Sequence, residues 1–186
     1  MKLSAIPNAL SIFRMLLVVP AVVFLWEGRH LDALLVIALA VFTDGLDGFL
    51  AKRFGWRTRI GGILDPLADK LLFVCVFVVL GLKGLIPFWL MALVLLRDLV
   101  IVSGGLAYHL LHGPFEMSPT LLGKINTLVQ FVFTLAVLVA AATGLPPRAV
   151  VEMLGFALVV TTLVSGLHYV WLWGRRAMNA SSGTTS

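Results

Sequence analysis

The chain has 186 residues, of which 60% are hydrophobic and only 12% are charged. A soluble domain of this length carries about twice that charged fraction, so the composition excludes an ordinary soluble enzyme. The mean hydropathy of +1.05 indicates an integral membrane protein, in which several spans of about 20 residues fit. A net charge of +5 in such a protein sets topology and attracts anionic head groups, and we expect no nucleic acid partner.

The sequence predicts an all-α polytopic membrane protein with six transmembrane helices and an N-terminal interfacial segment. Residues 1–14 are polar enough to lie at the membrane surface, and Pro7 suits the first turn of a helix. The membrane domain is predicted to cover residues 1–176, and residues 177–186 to form a disordered polar tail. Apolar runs predict the spans at about 9–26, 31–54, 61–82, 87–111, 121–143 and 149–173.

Basic residues predict the side of the membrane on which each loop lies. A short loop after the second span is rich in positive charge, from Lys52, Arg53, Arg57 and Arg59. The positive-inside rule places this loop in the cytoplasm, and an even number of spans places both termini there too. We therefore expect a protein of the bacterial cytoplasmic (inner) membrane, with any site near this loop on the cytoplasmic side.

Four aspartates interrupt the apolar sequence where the second span ends and the third begins. Asp44 and Asp47 are three residues apart, and Asp65 and Asp69 are four apart, so each pair lies on one face of a helix. Four carboxylates would repel one another strongly in a low-dielectric surround. Oxygen ligands favour a hard cation such as Mg²⁺ or Mn²⁺. The sequence therefore predicts a metal site between two helices, with more than one divalent ion expected.

The same aspartates form part of a longer pattern with small residues between them. It runs Asp44-x2-Asp47-Gly48-x2-Ala51-Lys52, then eight residues, Gly61, three residues, Asp65, three residues and Asp69. This pattern resembles the signature of the CDP-alcohol phosphatidyltransferases, apart from Lys52, where the family usually has Arg. The resemblance implies that a phosphatidyl group passes from CDP-diacylglycerol to an alcohol acceptor while CMP leaves.

The resemblance also implies a role for each matching residue. Asp44, Asp47 and Asp65 would bind metal, and Asp69 would be the catalytic base for the acceptor hydroxyl while also reaching the metal. A lysine at position 52 supplies charge but not the bidentate geometry of arginine. The nucleotide-binding residues expected are Asn8, Arg14, Gly48, Ala51, Lys52 and Gly61. The residues expected to bind the acceptor or a lipid phosphate are Arg57, Arg97 and Lys124.

The fourth and fifth spans bear on the choice of acceptor. Family members that make phosphatidylglycerol phosphate resemble one another in an Arg-Glu pair followed by a second Arg, whereas this chain has Arg97-Asp98 and no second Arg nearby. Fewer cations suit a phosphodiester better than a phosphomonoester. Residues 124–130 and 161–169 are similar to the members that form cardiolipin. We therefore expect phosphatidylglycerol as acceptor, with glycerol-3-phosphate as the alternative.

Other interpretations of these residues stay open. Acids inside a membrane also occur in cation-coupled transporters, and a degenerate lipid-binding member of the family would bind nucleotide without turnover. Arg97 and Asp98 are neighbours in sequence, so we expect their side chains to point in different directions and to have partners on other spans. Faces of small residues are compatible with a homodimer, as the family resemblance implies.

Overall fold

The computed structural model describes the backbone of residues 5–54, 61–112 and 120–182, and within these ranges it contains helices and no strand. Side chains are described for residues 10, 12–43, 70–105, 120–172 and 175. The predicted all-α fold is confirmed, and each predicted span corresponds to one helix. The helices are α1 (Ala5–Trp26), α2 (His30–Phe54), α3 (Gly61–Leu82), α4 (Phe88–His112), α5 (Leu121–Thr143) and α6 (Arg148–Ser182).

Apolar side chains are exposed and several polar ones are buried. Phe42, Phe156 and Leu167 are each about two-thirds exposed or more, whereas Arg14 and Asn126 are almost completely buried. A soluble protein rarely exposes so much contiguous apolar surface, but a protein surrounded by lipid must place its polar groups inside. This inside-out distribution is that of a polytopic membrane protein.

Three of the described helical segments are long and apolar enough to cross a membrane: Phe88–Gly105, Leu121–Thr143 and Arg148–Leu172. Three shorter apolar segments lie in the remaining helices, at Ile12–Trp26, His30–Thr43 and Lys70–Leu82. The membrane character of the chain is therefore clear, and the count of six spans stays a prediction.

The chain divides into two compact units. The first unit contains Met1–Ile86 and Leu135–Pro147, and the second contains Pro87–Thr134 and Arg148–Ser186. In the first unit α1 packs against both α2 and α3, and in the second α4 packs against α6. The residues of α5 are shared between the units.

The sixth helix continues to Ser182, beyond Arg176, where we expected the membrane domain to end. No proline follows Arg176 in the sequence, so nothing of that kind forces the helix to stop there. Helix thus extends into the segment predicted to be a disordered tail, and the predicted division at residue 176 is untested.

The core of the first unit is built from one stripe of residues on each helix. Two alanines of α2, Ala33 and Ala40, are fully buried, and so is Ala21 of α1. Side chains this small let the backbones of packed helices approach closely. The buried residues of the three stripes are Arg14, Val18, Ala21 and Leu25 on α1, Ala33, Ile37, Ala40 and Thr43 on α2, and Leu72, Val76 and Leu80 on α3.

Two glycines end helices of this unit in tight turns. Gly28 has φ of 77° and Gly84 has φ of 72°, a left-handed conformation that glycine adopts without steric cost. After Gly28, the N–H of Arg29 donates to the carbonyl of Phe24 at 2.8 Å, and after Gly84 the N–H of Leu85 donates to that of Leu80 at 2.9 Å. These bonds satisfy carbonyls that the helix end would otherwise leave without a partner.

In the second unit a buried side-chain hydrogen bond joins α5 to α6. The Thr162 hydroxyl donates to Oδ1 of Asn126 at 3.0 Å, and both residues are at most 1% exposed. The neighbouring Thr161 hydroxyl instead donates to the carbonyl of Leu158 in its own helix, at 3.1 Å. Only the first of these bonds connects two helices.

We expect Thr162→Val to destabilise the protein by about 1 kcal/mol, because the buried amide oxygen of Asn126 loses its donor. Thr161→Val is the matched control, since it removes a hydroxyl bonded within α6, and it should change stability much less. Thermal unfolding of both variants in detergent measures the difference. Equal shifts of the thermal midpoint in the two variants would show that the bond between the helices contributes no more to stability than a bond within α6.

Candidate active site

The two aspartate pairs lie where α2 and α3 extend their buried stripes. In α2, Asp44 and Asp47 follow the buried Ala40 by four and seven residues. In α3, Asp69 and Asp65 precede the buried Leu72 by three and seven residues. Residues at these spacings share one face of a helix. The side chains of all four aspartates lie outside the described residues, so their places on the helices are defined and their distances are not.

The chemistry of this donor set fits a hard divalent cation. All four ligands predicted from the sequence are carboxylates, which suit Mg²⁺ or Mn²⁺ and not a thiophilic metal. Among the described side chains there is no group of three or more His, Cys, Asp or Glu that could hold a metal. The aspartate motif therefore remains the candidate metal centre of this chain.

Arg14 lies on the buried face of α1. It is 1% exposed and precedes the buried Val18, Ala21 and Leu25 by four, seven and eleven residues. The helix that carries it packs against α2 and α3, which are the two helices that carry the aspartates. The role of Arg14 in binding a nucleotide phosphate stays a prediction.

For the other residues predicted to bind the nucleotide, the structure describes only the backbone. Asn8 lies near the start of α1, Gly48, Ala51 and Lys52 lie in α2, and Gly61 begins α3. Ala51 follows Asp47 by four residues and Gly61 precedes Asp65 by four, so the motif keeps a helical register in both elements. The side chains of these residues and the whole of Arg57 lie outside the described part, and their roles stay predictions.

Arg97 is held by both neighbouring and distant residues. Its Nη2 donates to the Ser165 hydroxyl of α6 at 2.6 Å, which confirms the expectation of a partner on another helix. Its Nη1 forms an ion pair with Oδ1 of Asp98 at 2.9 Å. The expectation that these two side chains point in different directions is therefore wrong. The arginine side chain is long enough to turn back to the adjacent carboxylate, and neutralising its charge lowers the cost of burial.

Lys124 lies in the first turn of α5 and its side chain is exposed. The same turn begins at Thr120, whose hydroxyl accepts a hydrogen bond from the N–H of Gly123 at 3.1 Å. The carbonyl of Thr120 accepts the N–H of Lys124 at 3.0 Å. A side chain oxygen in this position caps the N-terminus of the helix, so the backbone that carries the lysine is well fixed.

Four polar residues join the helices of the second unit but were not among the predicted site residues. They are Asn126 on α5 and Thr162, Ser165 and Tyr169 on α6, all buried. On α6 the three are separated by three and four residues, which places them on one face of an otherwise apolar helix. That spacing is the sequence signal that would have identified them.

Comparison with known proteins gives matches to one family of enzymes. A family model described as CDP-alcohol phosphatidyltransferase matches residues 4–170. A probable phosphatidylglycerophosphate synthase of Mycobacterium tuberculosis (strain ATCC 25618 / H37Rv) is 31% identical over 91% of this chain and 81% of its own length. A probable cardiolipin synthase (CMP-forming) of Drosophila melanogaster is 30% identical over 91% of this chain. A human cardiolipin synthase (CMP-forming) is 31% identical over 93% of it.

The extent of these matches differs between the relatives. The chain spans 58% of the length of the Drosophila protein and 62% of that of the human protein. The family model nevertheless covers most of the chain, including every aspartate of the motif. The chain therefore belongs to the CDP-alcohol phosphatidyltransferase family.

Proposed function

We propose that this protein transfers the phosphatidyl group of CDP-diacylglycerol to a glycerol-type alcohol and releases CMP. The observation that carries the proposal is the aspartate motif, which continues the buried stripes of α2 and α3 in a member of this family. In a site on the protein surface, the acids would not have to lie on the same helical faces as buried alanine, leucine and valine residues. Acids in this position are costly unless they have a function.

The reaction exchanges one bond to phosphorus for another. The acceptor hydroxyl oxygen bonds to the phosphorus of the phosphatidyl group, and the bond from that phosphorus to the oxygen bridging it to CMP breaks. Asp69 takes the proton from the attacking hydroxyl, and CMP leaves with the bridging oxygen. Such transfers depend mainly on positioning and charge stabilisation, so the protein needs a base and a means of neutralising the pyrophosphate.

Asp44, Asp47, Asp65 and Asp69 would hold the divalent ions, two in number by our proposal, which supply positive charge to the pyrophosphate and the leaving CMP. The positive side chains of the nucleotide site are Arg14 and Lys52. Arg14 is buried on the helix packed against both aspartate-bearing helices, so its charge acts in a low-dielectric surround. Gly48, Ala51 and Gly61 leave space for the nucleotide, with Asn8 near it.

We further propose phosphatidylglycerol as the acceptor, giving cardiolipin. The positive charge of Arg97 is balanced by Asp98 at 2.9 Å, which leaves less net positive charge among the residues proposed for the acceptor, namely Arg57, Arg97 and Lys124. Phosphatidylglycerol carries a phosphodiester with a single charge, whereas glycerol-3-phosphate carries a monoester with nearly two. The relatives include proteins of both kinds by name, so the acceptor must be measured.

The site faces the cytoplasm in this proposal. The basic loop between α2 and α3 adjoins the aspartate motif, and basic loops remain on the cytoplasmic side. Its charge would also attract the anionic substrate to the membrane surface. We propose a bacterial inner membrane as the location.

The direct test is a comparison of acceptors. Purified protein in mixed micelles receives CDP-diacylglycerol and Mn²⁺ with either phosphatidylglycerol or glycerol-3-phosphate, and CMP and the lipid product are measured together. We expect CMP and cardiolipin with phosphatidylglycerol alone. If phosphatidylglycerol phosphate forms from glycerol-3-phosphate and no product forms from phosphatidylglycerol, the proposed phosphatidyl transfer stands and the proposed acceptor is wrong. Ion flux across vesicle membranes without release of CMP would favour a transporter. Binding of nucleotide without turnover would favour a non-catalytic protein.

Asp69→Asn should reduce CMP release about a hundred-fold or more, because an amide cannot accept the proton of the acceptor hydroxyl. Binding of Mn²⁺, followed by electron paramagnetic resonance, should be largely retained. Asp32→Asn is the control, since Asp32 forms an exposed ion pair with Arg29 at 2.7 Å and lies outside the motif. Normal turnover by the Asp69 variant would refute its assignment as the base.

Removal of divalent metal with a chelator should abolish CMP release, and addition of Mg²⁺ or Mn²⁺ should restore it. The reason is that four carboxylates in one site cannot hold an anionic pyrophosphate unless cations offset their charge. The measurement is the rate of CMP release before chelation, after chelation and after metal is added back. Transfer that continues at full rate in excess chelator would refute the metal site.

A further inference from the structure

The hydroxyl of Tyr169 lies at the N-terminus of α5. Tyr169 belongs to α6 and is 8% exposed. Its hydroxyl oxygen accepts a hydrogen bond from the backbone N–H of Thr120 at 3.2 Å. The N-terminal N–H groups of a helix lack partners within the helix, so this hydroxyl satisfies the N–H at the helix cap while the Thr120 side chain satisfies that of Gly123.

The fit between this hydroxyl and α5 leaves no space for a side chain at Gly123. A Cβ atom there would lie 2.9 Å from the Tyr169 oxygen and 3.3 Å from its Cε2. Contacts under 3.0 Å essentially do not occur for real Cβ atoms. A side chain at position 123 would therefore force the Tyr169 ring to shift, and glycine lets that ring lie directly against the first turn of α5.

The face of the same aromatic ring contacts Arg97 of α4. The Cζ of Arg97 lies 5.8 Å from the ring centroid, within the range of a cation–π interaction. Ser165, which accepts the hydrogen bond from Arg97, precedes Tyr169 by one helical turn. One face of α6 thus contacts both the guanidinium of Arg97 on α4 and the first turn of α5. Lys124 lies in that first turn.

Two donors near this face remain unused. Nε of Arg97 and Nδ2 of Asn126 are buried and have no hydrogen-bond partner within the described part of the chain. Asn126 follows Gly123 by three residues on α5. Its Oδ1 is held by Thr162, one turn before Ser165. Buried donors without acceptors are costly, and they are the groups that an anionic oxygen would satisfy.

We propose that Tyr169 is a positioning residue for the acceptor, which holds the first turn of α5 beside Arg97 so that Lys124 and Arg97 act on one phosphate of the acceptor lipid. The inference rests on the proposed function. Tyr169 acts through the two cations and does not itself bind the acceptor. It should therefore affect binding of the acceptor and not of CDP-diacylglycerol.

Tyr169→Phe tests this role while keeping the ring that packs on Arg97. Loss of the one hydrogen bond to Thr120 should raise the KM for the acceptor about five-fold. The KM for CDP-diacylglycerol and the Mn²⁺ concentration for half-maximal rate should not change. Thr134→Val is the control, because its buried hydroxyl donates to the Gln130 carbonyl of the same helix at 2.8 Å and to no other group in the described part of the chain. That variant should keep both KM values.

A second substitution measures whether the contact itself matters. Gly123→Ala should raise the acceptor KM strongly in the wild-type background, because the new methyl group meets the Tyr169 oxygen. In the Tyr169→Phe background, where that oxygen is absent, the same substitution should raise the acceptor KM by a several-fold smaller factor. Such non-additivity is the signature of direct coupling between two residues. Additive effects would overturn the proposed contact.

The wild-type measurement separates this proposal from the one on which it rests. Absence of CMP with either acceptor would refute the proposed function and the positioning role together. Turnover by the wild type with an unchanged acceptor KM in Tyr169→Phe would overturn the positioning role alone. A rise in both KM values, accompanied by a lower thermal midpoint, would show that Tyr169 serves general stability instead.

Discussion

Polar groups in this protein must find their partners inside it, because its exposed surface is apolar. Lipid offers no hydrogen bonds to replace those lost. The buried Arg97 accordingly has an ion pair with Asp98 and a hydrogen bond to Ser165, and Asn126 has Thr162. The hydrogen bond from Arg97 to Ser165 and the one from Thr162 to Asn126 each join two helices. They set the rotation of one helix against another, which apolar packing alone specifies only loosely.

In the described part of the first unit, small residues pack the helices closely and Arg14 is buried among them. Alanines at positions 21, 33 and 40 bring α1 and α2 together, and the stripe they define continues in register to Asp44 and Asp47. The stripe of α3 continues likewise to Asp65 and Asp69. Arg14 lies on the helix that packs with both. The aspartates thus follow, in helical register, stripes of residues that close packing already holds.

The sequence allowed the helices to be predicted, since each depends on local information, whereas the roles of the aspartates stay predictions. Apolar runs predicted the ends of the spans, two of which lie at Gly28 and Gly84. The spacing of the aspartates predicts that each pair shares one face of its helix. Contacts between helices were less predictable. Nothing in the sequence gives the rotation that brings Ser165 to Arg97, and the spacing rule for adjacent residues failed at Asp98 because an arginine side chain can turn back. The end of α6 was missed since a polar segment can still be helical.

The length of α6 has a consequence for anything attached to its end. Its 35 residues extend about 52 Å at 1.5 Å per residue, whereas the hydrocarbon layer is about 30 Å thick. Within the described residues the candidate span of this helix is Arg148–Leu172, and the exposed Arg175 stacks on Trp171 with 5.4 Å from its Cζ to the ring centroid. The remaining turns therefore project beyond the lipid as a stiff rod. A fluorescent protein fused there would report the tilt of this helix in the membrane, and not merely the presence of the chain.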